Sequence, residues 1–296
     1  MRHGLILIDK PIGYTSHDAV AVVRRALGEK DIGHLGTLDP AATGLLVLAV
    51  GSKALKCVEL LSDLTKTYEA EVKLGAVSTT YDREGVIEEV PLKPGVKIPD
   101  DITIQNTIQD RFLGKISQVP PEYSAISIGG ERAYKKARRG VGVNIPARDV
   151  TIHACNVLSY DYPILKLSVT CGSGTYIRSL AHDLGQMLHT GGYLAGLRRT
   201  KVGLPAGAPR SGAKAGEWDV AKAVEPEKAI WPKVMPLKDC LGSFPRLDLT
   251  AEEMDHLSHG RDIEKSVTYP TIGWYDDLPA VILEPKNGKA HAKKVL

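Results

Sequence analysis

Cysteine is scarce in this 296-residue chain, and its spacing removes two structural solutions. Cys57, Cys155, Cys171 and Cys240 form no CxxC pair and have no histidine at zinc-ligand spacing, so neither a disulfide framework nor a structural metal is expected. Long apolar runs are missing too. The first run, Leu5 to Ile8, meets Asp9 and Lys10 too early for a signal-peptide core or a membrane span, which points to a cytoplasmic protein without a membrane partner. Nor does one sign of charge dominate. The net charge is +3 and the sequence pI is near 8.5, so total charge alone does not announce a polyanionic partner. What is present is ordinary for a globular protein: 43% hydrophobic and 25% charged residues, enough for one large core or a core plus a small appended domain.

Charge is concentrated locally instead. Arg132, Lys135, Lys136, Arg138 and Arg139 lie within one short stretch, Arg198, Arg199 and Lys201 form a second group, and Lys286, Lys289, Lys293 and Lys294 a basic end. Any one of these could be a solvated surface; three together favour a polyanion.

Along the chain, GLILIDKP reads as a strand ending in a turn. A helix follows, with Ser16 as N-cap, Val20, Val23 and Leu27 on its apolar face and Gly28 at its end. In IGHLGTLDPAATGLLVLAVG, glycines and a proline surround the single acid Asp39 before the apolar run Leu45 to Val50, which places the acid on a loop feeding buried structure. KTYEAEVKLG alternates as a strand does, and a turn at Asp82 to Gly85 suggests a hairpin. Residues 91–101 read as a surface loop and 102–113 as a short helix. The text from Val150 is strand-like, and SGTYIRSLAHDLGQMLHTGG reads as a turn opening a helix. A further helix is expected in part of 217–230, and 204–216 reads as a loop or hinge. Residues 245–296 alternate again, which sets an expected boundary between a domain 1–240 and a smaller domain 241–296.

A carboxylate in a glycine-rich loop can approach a substrate without side chains in the way, although Asp39-Pro40 could equally just start a turn. The wider motif decides between these readings. GHLGTLDPAATGLL resembles the catalytic-loop signature of the TruB family of tRNA pseudouridine synthases. KPIGYTS (10–16), KTYEAEVKLG (66–75), QVPPEYSAISIGGERAYKKARRG (118–140) and GTYIRSLAHDLG (174–185) follow in the family's order.

The resemblance implies an α+β pseudouridine synthase fold, with a mixed, largely antiparallel central sheet flanked by helices. It also implies a small C-terminal PUA-like β domain, matched through FPRLDLTAEEMDHLSHGRDI and ILEPKNGKAHAKKVL. The implied activity is an isomerase that makes pseudouridine at position 55 in the T loop of tRNA, working as a monomer on the folded T-arm without a cofactor. Breaking a glycosidic bond builds positive character at C1′, which an ionised carboxylate can capture or stabilise. By resemblance that carboxylate is Asp39. Whether it attacks the sugar, attacks the base or acts through a glycal stays open.

Burial disfavours a charged carboxylate, so a cationic partner is needed. The resemblance supplies Arg178, and it makes Tyr68 the aromatic that stacks on the uracil and handles the C5 proton. Leu197 matches an apolar pocket wall, Tyr176 lines the pocket beside Arg178, and Lys10 with Pro11 matches a brace for the catalytic loop. His34 matches a residue filling space near the vacated base, because a uridine must be extruded before it can react. Arg132, Lys136 and Arg139 would contact phosphates. Asp9, Asp82 and Asp183 read as supporting or turn residues.

Three other readings stand beside this one. A guide-RNA-dependent relative acting on ribosomal RNA would carry protein-binding extensions that the chain lacks. A tRNA-folding chaperone would bind and open the elbow with catalysis secondary. A two-carboxylate hydrolase would need a second acid across the bond from Asp39, and nothing in the sequence selects one.

Overall fold

The computed structural model describes residues 3–296 except 63, 125, 129, 140, 141, 143 and 204–216, so the expected loop or hinge at 204–216 lies outside the described residues. The side chains of 62, 128, 132, 134, 135 and 138 are also outside them. The fold is α+β. The chain forms two compact units, one of Met1–Pro40, Gly44–Leu64 and Lys201–Leu296, the other of Ala41–Thr43 and Thr65–Thr200.

In the first unit, β1 (Gly4–Lys10) pairs antiparallel with β3 (Thr43–Val50), from Gly4 opposite Val50 to Lys10 opposite Gly44. Between them in sequence lie α1 (Ser16–Leu27) and β2 (Ile32–His34), the latter pairing antiparallel with β3. Helix α1 starts one residue earlier in capping terms than expected. Thr15, not Ser16, is the N-cap, in a reciprocal box with Asp18, because the Ser16 hydroxyl is taken by the backbone of Leu38. Gly28 closes the helix in the left-handed conformation, and Trp231 Nε1 donates to Leu27 O at 3.0 Å. The short helices α2 (Ser52–Lys56) and α3 (Val58–Ser62) follow β3.

In the second unit, β4 (Thr65–Leu74) keeps the expected period-two pattern, with Lys66, Tyr68, Ala70, Val72 and Leu74 on its buried face. The expected hairpin is present but belongs to β5 (Ala76–Ser78) and β6 (Ile87–Glu89), whose connection carries Tyr81 and Asp82. Helix α4 (Asp101–Arg111) is capped by Asp100. Then come β7 (Gly114–Gln118), the small pair β8 (Ser127–Ile128) and β9 (Glu131–Arg132), and α5 (Ala133–Arg138). The long hairpin β10 (Arg148–Asp161) and β11 (Ile164–Cys171) completes a sheet in the order β4-β11-β10-β7, antiparallel throughout. Strand β12 (Gly192–Gly203) lies on the other side of β4.

Helix α6 (Ile177–Met187) packs against β4 and α4. Its approach to the start of β12 is set by Gly185, where a Cβ would stand 2.2 Å from the Gly192 nitrogen. Only glycine permits that distance.

The rest of the chain returns to the first unit. Instead of the helix expected within 217–230, β13 (Trp218–Asp219) is followed by 3-10 turns at Val220–Lys222 and Pro226–Lys228. Pro226 fixes the first residue of a new turn and offers no amide hydrogen to continue a helix from upstream. Strand β14 (Met235–Pro236) adds to β1, and α7 (Leu237–Leu241) follows.

The small C-terminal sheet is β15 (Arg246–Asp248), β16 (Thr271–Tyr275), β17 (Leu278–Lys286) and β18 (Lys289–Val295), with β15 parallel to β16 and the others antiparallel; α8 (Ala251–Ser258) sits between β15 and β16 in sequence. The packing does not divide at 240. Along β17, Val281 and Leu283 face a local cluster with Leu249, Leu257 and Ala290, whereas Ile282, with Trp274 and Leu296, joins Leu5, Leu7 and Leu45 in the core of the N-terminal strands. A sheet apolar on both faces must cover both, and one cover here is the N-terminal sheet.

Candidate active site

In the first unit the segment KPIGYTS and the Asp39 loop are one construction. Lys10, wholly buried at the end of β1, donates through Nζ to Pro11 O (3.0 Å), Tyr14 O (2.6 Å) and Pro40 O (3.5 Å). Gly13 N–H donates to Pro40 O at 2.9 Å. Ser16 Oγ donates to Leu38 O (3.1 Å) and accepts from Leu38 N–H (2.9 Å). Leu35 and Leu38 are buried as anchors, so the residues on either side of Asp39 are pinned while Asp39 itself stays half-buried. His34 ends β2, and its ring meets the His17 ring edge-on, with centroids 5.5 Å apart. Lys10, His34 and Asp39 thus belong to one local assembly around the start of α1.

The second unit holds Arg178, Tyr176, Tyr68 and Leu197, of which Arg178 and Tyr176 are brought together. Tyr176 is the N-cap residue of α6. Gln118 holds its backbone on both sides, donating to Tyr176 O at 3.0 Å and accepting from Tyr176 N–H at 2.8 Å. The Arg148 guanidinium lies 4.9 Å from the centre of the Tyr176 ring and that of Arg178 at 6.0 Å. Arg178 is buried in the first turn of α6. Its Nη1 pairs with Asp82 at 3.4 Å and donates to Thr80 O at 3.5 Å, and its Nη2 donates to Tyr123 O at 3.1 Å.

Asp82 is fixed in turn by Thr80 Oγ1 (2.6 Å) and Glu84 N–H (2.9 Å), so a rigid turn presents a carboxylate to a rigid guanidinium. Tyr68 faces the buried side of β4 opposite Val169, and Leu197, half-buried in β12, accepts from Thr43 Oγ1 at 3.5 Å through its carbonyl.

The basic groups fare differently. Arg139 is exposed and paired with Glu131 at 2.8 Å, Lys136 is half-buried, and the Arg132 side chain lies outside the described residues. Arg199 is no surface cation: it sits in β12 at 2% exposure. At the basic end, Lys293 and Lys294 pair with Glu59 and Lys289 with Glu264, so much of that charge is locally balanced.

The sequence marks Asp82 as a supporting or turn residue and Ser16 as a helix cap, without their partners Arg178 and Leu38, and it does not single out Gln118 or Arg148. Gln118, Asp82 and Ser16 all lie in or beside the motifs singled out, but a partner far away in sequence leaves no local periodic signal. Among the described residues no cluster of His, Cys, Asp and Glu is arranged to hold a metal, and no helix is long and apolar enough to cross a membrane. The four cysteines are buried and unpaired, and burial raises each thiol, Cys155 and Cys240 to about 12.

Asp183, on α6, has its carboxyl pushed up by burial to about 6. The folded state therefore holds this proton more tightly than the unfolded chain does. The group's contribution to stability is full below its ordinary pKa of 3.8 and is lost as pH rises through about 6. Asp183→Asn, which cannot ionise, is expected in urea unfolding to exceed the parent by on the order of 1 kcal/mol at about pH 8, the half-solvated position moderating the effect. The difference should narrow towards about pH 4, where the folded carboxyl is protonated, and close below the ordinary pKa of 3.8, where both states are. A gap independent of pH would show that this ionisation is not coupled to folding.

The tRNA pseudouridine synthase B of Thermobifida fusca (strain YX) is 40% identical over 301 residues, covering 98% of this chain and 97% of that protein. That of Xylella fastidiosa (strain Temecula1 / ATCC 700964) is 42% identical over 252 residues, covering 85% and 80%. Among solved structures, the Cbf5-Nop10-Gar1 complex contains a chain that matches 99% of this one, over 84% of its own length, with a TM-score of 0.68 at 22% identity, a likeness of fold. The TruB family pseudouridylate synthase N-terminal domain matches residues 24–177, and with relatives of this identity running nearly end to end, the chain belongs to the TruB family of pseudouridylate synthases.

Proposed function

We propose that this chain converts one uridine of tRNA, position 55 in the T loop, to pseudouridine, acting as a monomer in the cytoplasm. The observation that carries the reading is the pinned Asp39 loop, built from KPIGYTS and GHLGTLDPAATGLL, in a chain 40% identical to a tRNA pseudouridine synthase over nearly its whole length. The reaction is an isomerisation. The N1–C1′ bond breaks, the uracil turns, C5 bonds to C1′, and the proton lost from C5 is balanced by one gained at N1. No group enters or leaves, so no cofactor is called for.

Asp39 supplies the anion that captures or stabilises the sugar carbon or otherwise holds the separated base and sugar together. A loop anchored through the backbone on both sides of that acid fits this task, because the carboxylate needs no reorganisation when charge develops. Arg178 provides a permanent positive charge. Tyr68 offers a flat ring for the uracil and a phenol oxygen that can take or pass on the C5 proton. Leu197 and Tyr176 serve as pocket walls, and His34 occupies the place of the extruded nucleotide. Arg132, Lys136 and Arg139 meet phosphates of the T-arm, and the small PUA-like C-terminal sheet adds RNA contacts.

The test is a site-resolved pseudouridine map, by carbodiimide labelling and primer extension, of a tRNA transcript incubated with the purified chain. One new pseudouridine is expected at position 55, and none when that uridine is replaced by cytidine. Modification elsewhere on the transcript, or release of free uracil, would overturn the assignment.

A further inference from the structure

The turn that presents Asp82 to Arg178 contains a residue the proposed chemistry does not use. Tyr81 has φ of 63°, a left-handed conformation that is costly for a bulky side chain. Three interactions hold it there. Its N–H donates to Ser78 O at 3.1 Å, its carbonyl accepts from Leu194 N–H at 2.9 Å, and its ring stacks on His182 with centroids 4.0 Å apart and planes 12° from parallel.

His182 stands four residues after Arg178 on α6, so the two side chains leave the same helix face one turn apart. Arg178 takes Asp82; His182 takes the residue just before it. The imidazole is not there for its hydrogen bonds alone: Nδ1 is buried with no partner among the described residues, and burial lowers the ring's pKa, favouring the neutral form. A buried, unpaired ring nitrogen carries a cost that an aliphatic side chain would avoid. The flat face is what Tyr81 uses.

We propose that the Tyr81–His182 stack is a positioning clamp for pseudouridine formation: it locks the 80–82 turn in its unfavourable conformation, so that Asp82 and Thr80 O fix the Arg178 guanidinium in one orientation. The inference rests on the reading that Arg178 serves the reaction. Tyr81 and His182 are positioning residues and act through Arg178.

The experiment compares single-turnover rate and tRNA affinity in the full chain for His182→Ala, His182→Phe, Tyr81→Gly and Arg178→Lys, at a temperature where circular dichroism shows each folded. His182→Ala and Tyr81→Gly should slow the reaction tenfold or more while the tRNA Kd stays within twofold. His182→Phe keeps a flat ring on Tyr81 and should recover to within threefold of the parent.

Tyr81→Gly guards against misfolding, since glycine can enter the left-handed backbone without strain, while deleting the ring and widening the backbone's choices leaves the turn unlocked. A Tyr81→Gly rate within twofold of the parent, or a Phe variant as slow as the Ala variant, overturns the clamp. If that happens while Arg178→Lys is slow, the clamp alone is wrong. If Arg178→Lys reacts at the parent rate, the role given to Arg178 falls, and the clamp with it.

Discussion

Asp39→Asn is expected to bind a tRNA transcript within about threefold of the parent yet form pseudouridine at least about 1,000-fold more slowly, roughly 4 kcal/mol of barrier. The amide matches the carboxylate in shape but lacks its charge, so it can neither capture nor electrostatically stabilise an electron-poor sugar carbon. The loop should survive the change. Lys10, Gly13 and Ser16 hold it through the backbone of Leu38 and Pro40, and none of those bonds involves the side chain replaced. Gel-shift binding measured beside single-turnover modification separates the two effects. A variant that still modifies its substrate within tenfold of the parent rate would remove Asp39 from the chemistry.

The second large effect is expected at Asp82, whose carboxylate and the Arg178 guanidinium are 8% and 7% exposed. Breaking a buried ion pair by removing one member costs up to about 3–5 kcal/mol. Asp82→Ala should therefore show that loss in urea unfolding and a fall in single-turnover rate of about 100-fold or more, since the turn also loses the Thr80 and Glu84 bonds that shape it. Asp82→Asn isolates the charge. Its side-chain oxygen can still accept from Thr80 Oγ1 and Glu84 N–H, so it should unfold closer to the parent while its rate stays depressed. An Asp82→Ala variant that is both stable and active would mean that Arg178 keeps its place without Asp82.

Asp39 and Asp82 differ in how far their neighbours in the chain reveal them. Asp39 stands out in the sequence because glycines and a proline isolate a single acid within a long motif. Asp82 sits in an ordinary-looking turn, and its importance depends on a partner on another element nearly a hundred residues away. Ser16 shows the same limit on a smaller scale. Thr15 and Ser16 are both good capping residues, and what separates them is Leu38, whose backbone claims the second hydroxyl. Arg199 is a similar case, since a basic residue beside Arg198 and Lys201 reads as surface charge until its burial in the folded sheet is seen.

By itself the sequence determined the local elements and the chemistry on offer. The apolar face of α1 and its closing Gly28, the alternation of β4 and the glycine-flanked acid are all written in neighbouring residues, which is where backbone preference and side-chain periodicity act. Only the tertiary structure decided which of those residues hold one another: Lys10 on the Asp39 loop, Asp82 on Arg178, Gln118 on Tyr176, and the last strands on the core of the first. Such pairings depend on burial and on donors meeting acceptors across the fold, and these are settled when distant segments exclude water together.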